Sequence, residues 1–237
     1  MAKRVGFTRT IKPNWLNKTV ELVSEGLSEA DIRDQLDEYL SFELKDKTNI
    51  GKARNILMNT WVYESEDSVS IKEPALMLIK KYPEYSLALH WCMMLMAYPV
   101  FTDICKLIGK MAEFQDELTL KQIKQKLFDE WGESSTLFYS IDKLVATLKN
   151  LEVMVPTKPG VYHINKHKTD RPEIVNFMLY VMMLVDNSGY YSYVELKSSV
   201  YLFPFDYKVE KEYLLGDGRF VMNNFGGELS IALNDCL

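Results

Sequence analysis

Apolar side chains recur at helical spacing through the first hundred residues. The clearest run follows Ser28, which precedes Asp31 by three residues in a variant of the capping box, and it places Ile32 and Leu36 on one face. Later runs in this part of the chain end at prolines, which a helix interior does not accept. The pattern therefore predicts a bundle of helices over residues 1–98.

The next part of the chain predicts three amphipathic helices followed by two short β-rich runs. Thr119 is placed to cap the second helix, Gly132 to end it, and Ser134 or Ser135 to cap the third. The β-rich runs lie in EVMVPTKPGVYHIN, where PTKPG separates them as a hairpin turn. Three helices with a tight turn between the last two, followed by a hairpin, are typical of a winged helix-turn-helix, which we expect over residues 99–168.

The same order recurs less cleanly in the last third of the chain. RPEIVNFMLYVMMLVDNSG predicts a helix with Pro172 in its first turn and Gly189 after its end, and SYVELKSS and DYKVEKEYLLG are candidates for the next two helices. RFVMNNFGGELSIAL predicts a hairpin that turns at Gly226 and Gly227. We therefore expect a second winged-helix-like unit over residues 169–237. The predicted fold class is mainly α, an N-terminal helical region followed by winged helix-turn-helix units with short β-hairpin wings.

Composition and charge change this picture only locally. The chain has 237 residues, of which 47% are apolar and 26% charged, an ordinary globular mixture. The net charge is −5, so the chain as a whole does not have the basic character of a nucleic-acid binder. Residues 121–171 are the exception, with nine Lys/Arg against six Asp/Glu, whereas residues 172–237 have four against nine. A basic surface is therefore expected only in the central unit.

The cysteines and the apolar runs indicate the compartment. Cys92, Cys105 and Cys236 are an odd number and lack the spacing of metal ligands. The basic amino terminus lacks the apolar core of a signal peptide, and the apolar stretch at residues 87–101 is shorter than the roughly 20 residues that cross a bilayer. We expect a cytoplasmic protein with no membrane partner.

Residues that carry catalysis are scarce in this sequence. His90 lies in an apolar helical run, where a hydrogen-bonded core histidine is the better interpretation, and His163 and His167 fall on a predicted strand and the linker after it. The sequence has no phosphate-binding glycine-rich loop and no HExxH motif. We therefore expect neither an enzyme nor a metal, cofactor or small-molecule substrate.

The third predicted helix of the central unit turns a polar face outward once its leucines are buried. Hydroxyl, amide and lysine side chains on that face can donate to phosphates or base edges, and lysines on the second helix and on the hairpin can contact phosphates. The predicted DNA contacts are Lys121, Lys124, Ser135, Tyr139, Lys143, Asn150, Lys158, Lys166 and Lys168. The face also holds Asp142 and has no arginine, the most common reader of guanine. A winged helix used only for packing or for docking a protein therefore remains an alternative.

The amino terminus offers a second basic element. Lys3, Arg4, Arg9 and Lys12 would form a flexible arm along phosphates, or they would belong to an ordinary frayed terminus that aids solubility.

Residues 89–156 combine an apolar helix ending in AYP, the IGKMAEFQ helix, a WG turn and a leucine-faced helix that runs into a hydrophobic strand. In these features this part of the chain resembles the BrxA family of small accessory proteins in BREX phage-defence systems. The earlier IGKARNILMNTW helix is similar as well. The resemblance implies a mostly helical, non-enzymatic protein with helix-turn-helix character that binds double-stranded DNA and acts beside a methyltransferase, an ATPase and other defence subunits. It supplies no catalytic residue.

These observations lead to two hypotheses of different classes. In the first, the chain is a DNA-binding accessory protein of a bacterial phage-defence system and contacts duplex DNA through the central winged helix. In the second, it is an adaptor whose winged helices and acidic last third dock partner subunits without DNA. A continuous positive surface over the third helix and the wing would favour the first, and an exposed apolar patch would favour the second.

Overall fold

Helices make up most of the chain, and the part that the structure describes also contains three small sheets, so the expectation of a mainly α protein is confirmed. The computed structural model describes residues 6–63, 69–225 and 228–234. The helices are α1 (Pro13–Ser24), α2 (Glu29–Ser41), α3 (Lys47–Trp61), α4 (Val69–Lys81), α5 (Ser86–Ala97), α6 (Pro99–Ala112), α7 (Leu120–Trp131), α8 (Ser135–Asn150), α9 (Pro172–Asp186) and α10 (Lys211–Gly216). The strands are β1 (Glu117–Thr119), β2 (Met154–Lys158), β3 (Val161–Ile164), β4 (His167–Thr169), β5 (Tyr191–Ser192), β6 (Phe205–Tyr207), β7 (Phe220–Phe225) and β8 (Glu228–Leu233).

Helix α5 is the centre of the N-terminal region. Its residues from Ala88 to Leu95 are all buried, as expected for a helix that is apolar on every side. It packs against α3, α6 and α9, so the later parts of the chain share its core. Among the helices around it, α2 begins at the predicted cap, where the Ser28 side chain accepts from the Asp31 N–H, and α1 begins at Pro13.

The segment before α1 is packed, and this corrects the prediction of a free basic arm. Phe7 and Ile11 are fully buried, and the Ile11 N–H donates to Thr147 Oγ1 at 3.0 Å. Lys12 forms an ion pair with Glu43. The apolar side chains hold this segment against the protein, so Arg9 and Lys12 do not belong to a flexible arm; Lys3 and Arg4 lie outside the described residues.

Residues 99–164 form the central unit, which contains α6, β1, α7, α8, β2 and β3 in that order. Its sheet is antiparallel with the strand order β1-β3-β2, so the strand between the first two helices pairs with the hairpin. Thr119 caps α7 in a capping box with Gln122, Gly132 ends that helix at a φ of 78°, and Ser134 caps α8. The hairpin turns at residues 159–160, and Pro156 lies within β2 beside a register shift, not in the turn as predicted.

Residues 172–233 form the C-terminal unit, and it departs from the prediction in its middle. Short 3₁₀ turns at Glu195–Lys197 and Val200–Leu202 and the six-residue α10 stand where two longer helices were expected. Helix α9 ends at Asp186 and is capped by Asn187, which has a left-handed backbone, and Gly189 follows the end of the helix as predicted. The hairpin of β7 and β8 is present, in a sheet ordered β5-β8-β7, and its predicted turn at residues 226–227 lies outside the described part of the chain.

The junction between the two units is a short parallel pairing. Strand β4 pairs with β6, with His167 opposite Phe205 and Thr169 opposite Tyr207. The predicted boundary at residue 168 falls within β4, whose partner strand β6 lies in the C-terminal unit.

Candidate nucleic-acid interface

Helix α8 divides lengthwise into a buried stripe and an outer face. Leu137, Ile141, Leu144 and Leu148 are buried at helical spacing, as the sequence pattern indicated. The outer face is uncovered at the N-terminal end of the helix, where Ser135, Thr136 and Tyr139 are exposed. This end is the part of α8 that is free to meet a large ligand.

Six of the predicted DNA contacts lie at exposed positions. They are Lys121 in the first turn of α7, Ser135 and Tyr139 on α8, Lys158 at the end of β2, and Lys166 and Lys168 beyond the hairpin. Tyr139 is 65% exposed. Lys143, one turn further along α8, is half-buried, and α8 brings it to the same face as Tyr139.

Lys124 is engaged within the protein. Its Nζ lies 2.7 Å from Asp142 Oδ1 on α8 and 3.6 Å from the centre of the Phe138 ring, and its side chain is only 15% exposed. The ion pair explains why a carboxylate occupies the middle of the polar face of α8. Lys124 therefore joins α7 to α8 and is not presented to solvent as a phosphate contact would be.

The C-terminal half of α8 is covered by the N-terminal segment. Asn150 Nδ2 donates to the Ile11 carbonyl at 2.9 Å, beside the bond from the Ile11 N–H to Thr147. Because both polar groups of the Ile11 backbone are satisfied by α8, this half of the helix serves as a packing surface. Asn150 thus makes a structural hydrogen bond.

Lys166 and Lys168 lie beyond the hairpin and not on it. Lys166 Nζ donates to the Phe203 carbonyl at 2.6 Å, and Lys168 on β4 lies 2.6 Å from Asp170. The hydrogen bond between Lys168 and Asp170 raises the pKa of the lysine and lowers that of the carboxyl to about 2. Both lysines are exposed, and they lie at the junction with the C-terminal unit, where β4 pairs with β6.

An aromatic cluster beside Lys124 was missed by the sequence reasoning. The rings of Phe128 and Phe138 stack at 6.3 Å between centroids, and Phe138 meets Tyr139 edge to face at 5.6 Å. Phe138 is 41% exposed. The signal in the sequence was the pair of adjacent aromatics in LFYS, since two neighbouring positions on a helix cannot both face the core.

The buried histidine has the structural role that the sequence favoured. His90 Nδ1 accepts from Trp61 Nε1 at 3.1 Å, and Nε2 lies 2.8 Å from Asn17 Oδ1. Burial lowers the pKa of His90 to about 3, so the ring is neutral at physiological pH. Among the residues described, no group of three or more His, Cys, Asp or Glu side chains is arranged to hold a metal ion.

Comparisons with protein-family models, curated proteins and solved structures found no match to this chain. Within the described segments, no single helix is long and apolar enough to cross a membrane; only the pair Pro83–Ala97 and Pro99–Ala112, bent by 118°, meets the length and composition requirement when taken together.

Proposed function

We propose that the central unit is a winged helix-turn-helix and that the protein binds double-stranded DNA through it. The observation that carries the proposal is the combination of the strand order β1-β3-β2 with an α8 whose N-terminal end is uncovered. In helix-turn-helix proteins the second helix of the motif lies in the major groove, with its N-terminal residues at the base edges. Helix α8 would have that position here.

The proposed contacts follow from exposure. Ser135 and Tyr139 would reach the groove, Lys143 would lie beside them, and Lys121 and Lys158 would contact phosphates on either side. Lys124 would act indirectly, because its pair with Asp142 sets the angle between α7 and α8. With few charges in contact and no arginine on α8, we expect weak to moderate affinity with little preference for sequence.

The biological setting rests on the resemblance to the BrxA family. We propose a non-enzymatic accessory protein of a BREX-type phage-defence system, acting in the cytoplasm beside other subunits of that system. Its contribution would be to hold DNA near those subunits.

The test is binding to a random-sequence duplex, followed by fluorescence anisotropy across a series of salt concentrations. The double variant Lys121→Glu/Lys158→Glu should weaken binding by at least about tenfold and flatten the plot of log affinity against log salt by about two units, because each phosphate contact contributes about 0.9 to that slope. Ser135→Ala and Tyr139→Ala should weaken binding less.

The matched control is Lys45→Glu/Lys47→Glu, which reverses two exposed lysines, one just before α3 and one at its first position, without touching the central unit. It should keep the affinity and salt slope of the unmodified protein. Equal losses in the two double variants would mean that binding follows net charge alone, and the proposed interface would be wrong.

A second candidate function is docking of a protein, and the aromatic cluster favours it. Phe138 and Tyr139 expose 41% and 65% of their surface at the same end of α8, and aromatic side chains of this kind are common anchors in protein interfaces. Phe138→Ser, which leaves the proposed DNA contact Tyr139 in place, would separate the candidates. It would abolish capture of a partner subunit if the cluster is a docking site, and DNA binding would keep its affinity and its dependence on Lys121.

A further inference from the structure

The two hairpins present sheet edges of opposite character. In the central unit the edge strand β2 contains Pro156, which has no N–H to offer, and Lys158, and its register shifts between them. Proline, lysine and bulges are the features that keep an edge strand from pairing with another chain. In the C-terminal unit the edge strand β7 reads FVMNNF, with no proline and no charge, and it keeps regular register with β8 from Phe220 to Phe225.

The free edge of β7 can be assigned from its hydrogen bonds. The Asn234 N–H donates to the Arg219 carbonyl at 2.9 Å, so residue 219 faces β8. Because antiparallel pairs alternate between hydrogen-bonded and non-hydrogen-bonded positions, residues 221, 223 and 225 also face β8. The backbone N–H and C=O groups of Met222 and Asn224 then point away from it, and in the described part of the chain only β8 is paired with β7.

We propose that this edge pairs with β7 of a second copy of the chain, antiparallel and about a two-fold axis at Asn223. Met222 and Asn224 of each copy would then exchange N–H···O=C bonds, and the two three-stranded sheets would join into one of six strands. The proposal does not depend on the proposed DNA binding.

The uncharged side chains of β7 favour a second copy as the occupant. A two-fold axis at Asn223 places this residue opposite its own equivalent, which is costly for a charged side chain and tolerable for an uncharged one. Val221, which is 38% exposed, and Asn223 lie on the outer face, while Phe220 and Met222 turn toward the core. Residues 172–237 have nine acidic side chains against four basic ones, so pairing of two copies should strengthen as salt rises. Pairing with a basic partner would weaken instead.

The experiment is sedimentation equilibrium of the full chain from roughly 1 to roughly 300 µM, with two opposite substitutions at the axis. The unmodified protein should approach twice its monomer mass of 27.6 kDa. Asn223→Lys and Asn223→Glu should each weaken self-association roughly fivefold or more, because they place like charges opposite each other. An equimolar mixture of the two variants should restore it, since the pair across the axis then has opposite charges.

The control is Thr157→Lys, which adds the same charge at an exposed position of β2 and should leave the mass distribution unchanged. An unmodified protein that stays monomeric throughout, or a dimer that Asn223→Lys does not weaken, would overturn the proposal. So would a mixture of the two variants that remains monomeric. Amide exchange of the unmodified protein gives an independent check: protection of the Met222 and Asn224 amides should rise with protein concentration, and equal protection at both extremes would count against pairing.

Discussion

The central and C-terminal units share one plan. Each has a long helix, a short strand, a helical middle and a hairpin, and the first strand lies next to the last in both sheets. The two units also share individual hydrogen bonds at equivalent positions. Thr119 and Gln122 form a capping box after β1, and Ser192 and Glu195 form one after β5. In each unit the residue after the capping residue then donates to the hairpin, Leu120 to the Gly160 carbonyl and Tyr193 to the Leu229 carbonyl.

The units diverge immediately after those capping boxes. In the central unit an amphipathic run, LKQIKQKLFDEW, continues the helix for 12 residues. In the C-terminal unit, ELKSSVYLFPF offers no such stripe and contains a proline, and the helix ends after one 3₁₀ turn. A capping box can start a helix, but an apolar stripe with a surface to cover is needed to extend it.

The shortened middle of the C-terminal unit is used to attach it to the rest of the molecule. Trp91 on α5 meets the rings of Phe203 and Phe205 edge to face at 5.5 and 5.7 Å, and its Nε1 donates to the Tyr201 carbonyl at 2.9 Å. The corresponding part of the central unit, the turn between α7 and α8, is exposed. The comparison therefore separates a unit that packs from a unit whose helices remain accessible.

The largest effect is expected from Gly109→Ala, which breaks the attachment of the C-terminal unit. A Cβ at this position of α6 would lie 2.0 Å from the Val200 carbonyl oxygen, so helix and loop would have to separate. We expect a loss of about 3 kcal/mol in the free energy of unfolding, measured with urea. Gly51→Ala is the control: its Cβ would meet only the Arg54 side chain at 3.7 Å, and it should be neutral or stabilising by about 0.5–1 kcal/mol. Similar values for both would contradict a tight contact at Gly109.

The next largest effect is a loss of stability in acid that depends on His90. This residue lies on α5, which packs against α6 of the central unit and α9 of the C-terminal unit. Its pKa falls from 6.5 in the unfolded chain to about 3 in the fold because of burial, so the unfolded state takes up a proton first as the solution is acidified. The contribution to stability is complete above pH 6.5 and is lost as the pH falls from 6.5 toward 3, by at most about 1.4 kcal/mol per pH unit. Urea unfolding at several pH values measures this slope. His163→Gln, at an exposed position, should leave this slope unchanged, whereas a slope that disappears in His163→Gln would argue against His90.

A smaller effect is expected on DNA binding, where charge reversals in the central and C-terminal units should differ. If only the central unit contacts DNA, Lys121→Glu/Lys158→Glu should weaken binding at least about tenfold, and the same reversal in the C-terminal unit, Lys197→Glu/Lys211→Glu, should change it by less than about twofold. Anisotropy at one fixed salt concentration measures both. A larger loss in the C-terminal variant would reverse the roles of the units.

The smallest effect compares the two capping boxes. Thr119→Ala removes the cap of a 12-residue helix and should cost about 1 kcal/mol, whereas Ser192→Ala removes the cap of a single turn and should cost a few tenths. Chemical denaturation followed by circular dichroism measures both. Equal costs would indicate that the turn at Glu195 supports more of the C-terminal unit than its length implies.

The sequence alone determined the features that depend on neighbouring residues. The cap at Thr119, the end of α7 at Gly132 and the buried stripe of α8 follow from local backbone geometry and helical spacing, and each is found where it was predicted. The hairpins follow for the same reason, although Pro156 lies in a strand where a turn was expected. Proline fits an edge strand as well as a turn, and only the sheet order tells which.

Only the tertiary structure decided which polar side chains remain available to a ligand. On sequence spacing, Lys124 and Asn150 are as exposed as Lys121 and Ser135, but the first pair is held by Asp142 and Ile11. Those partners lie 18 and 139 positions away in the chain. Likewise, Lys168 follows the hairpin in sequence, but it lies on β4, which pairs with β6 of the C-terminal unit. Periodicity describes one element at a time, whereas accessibility depends on what other elements cover.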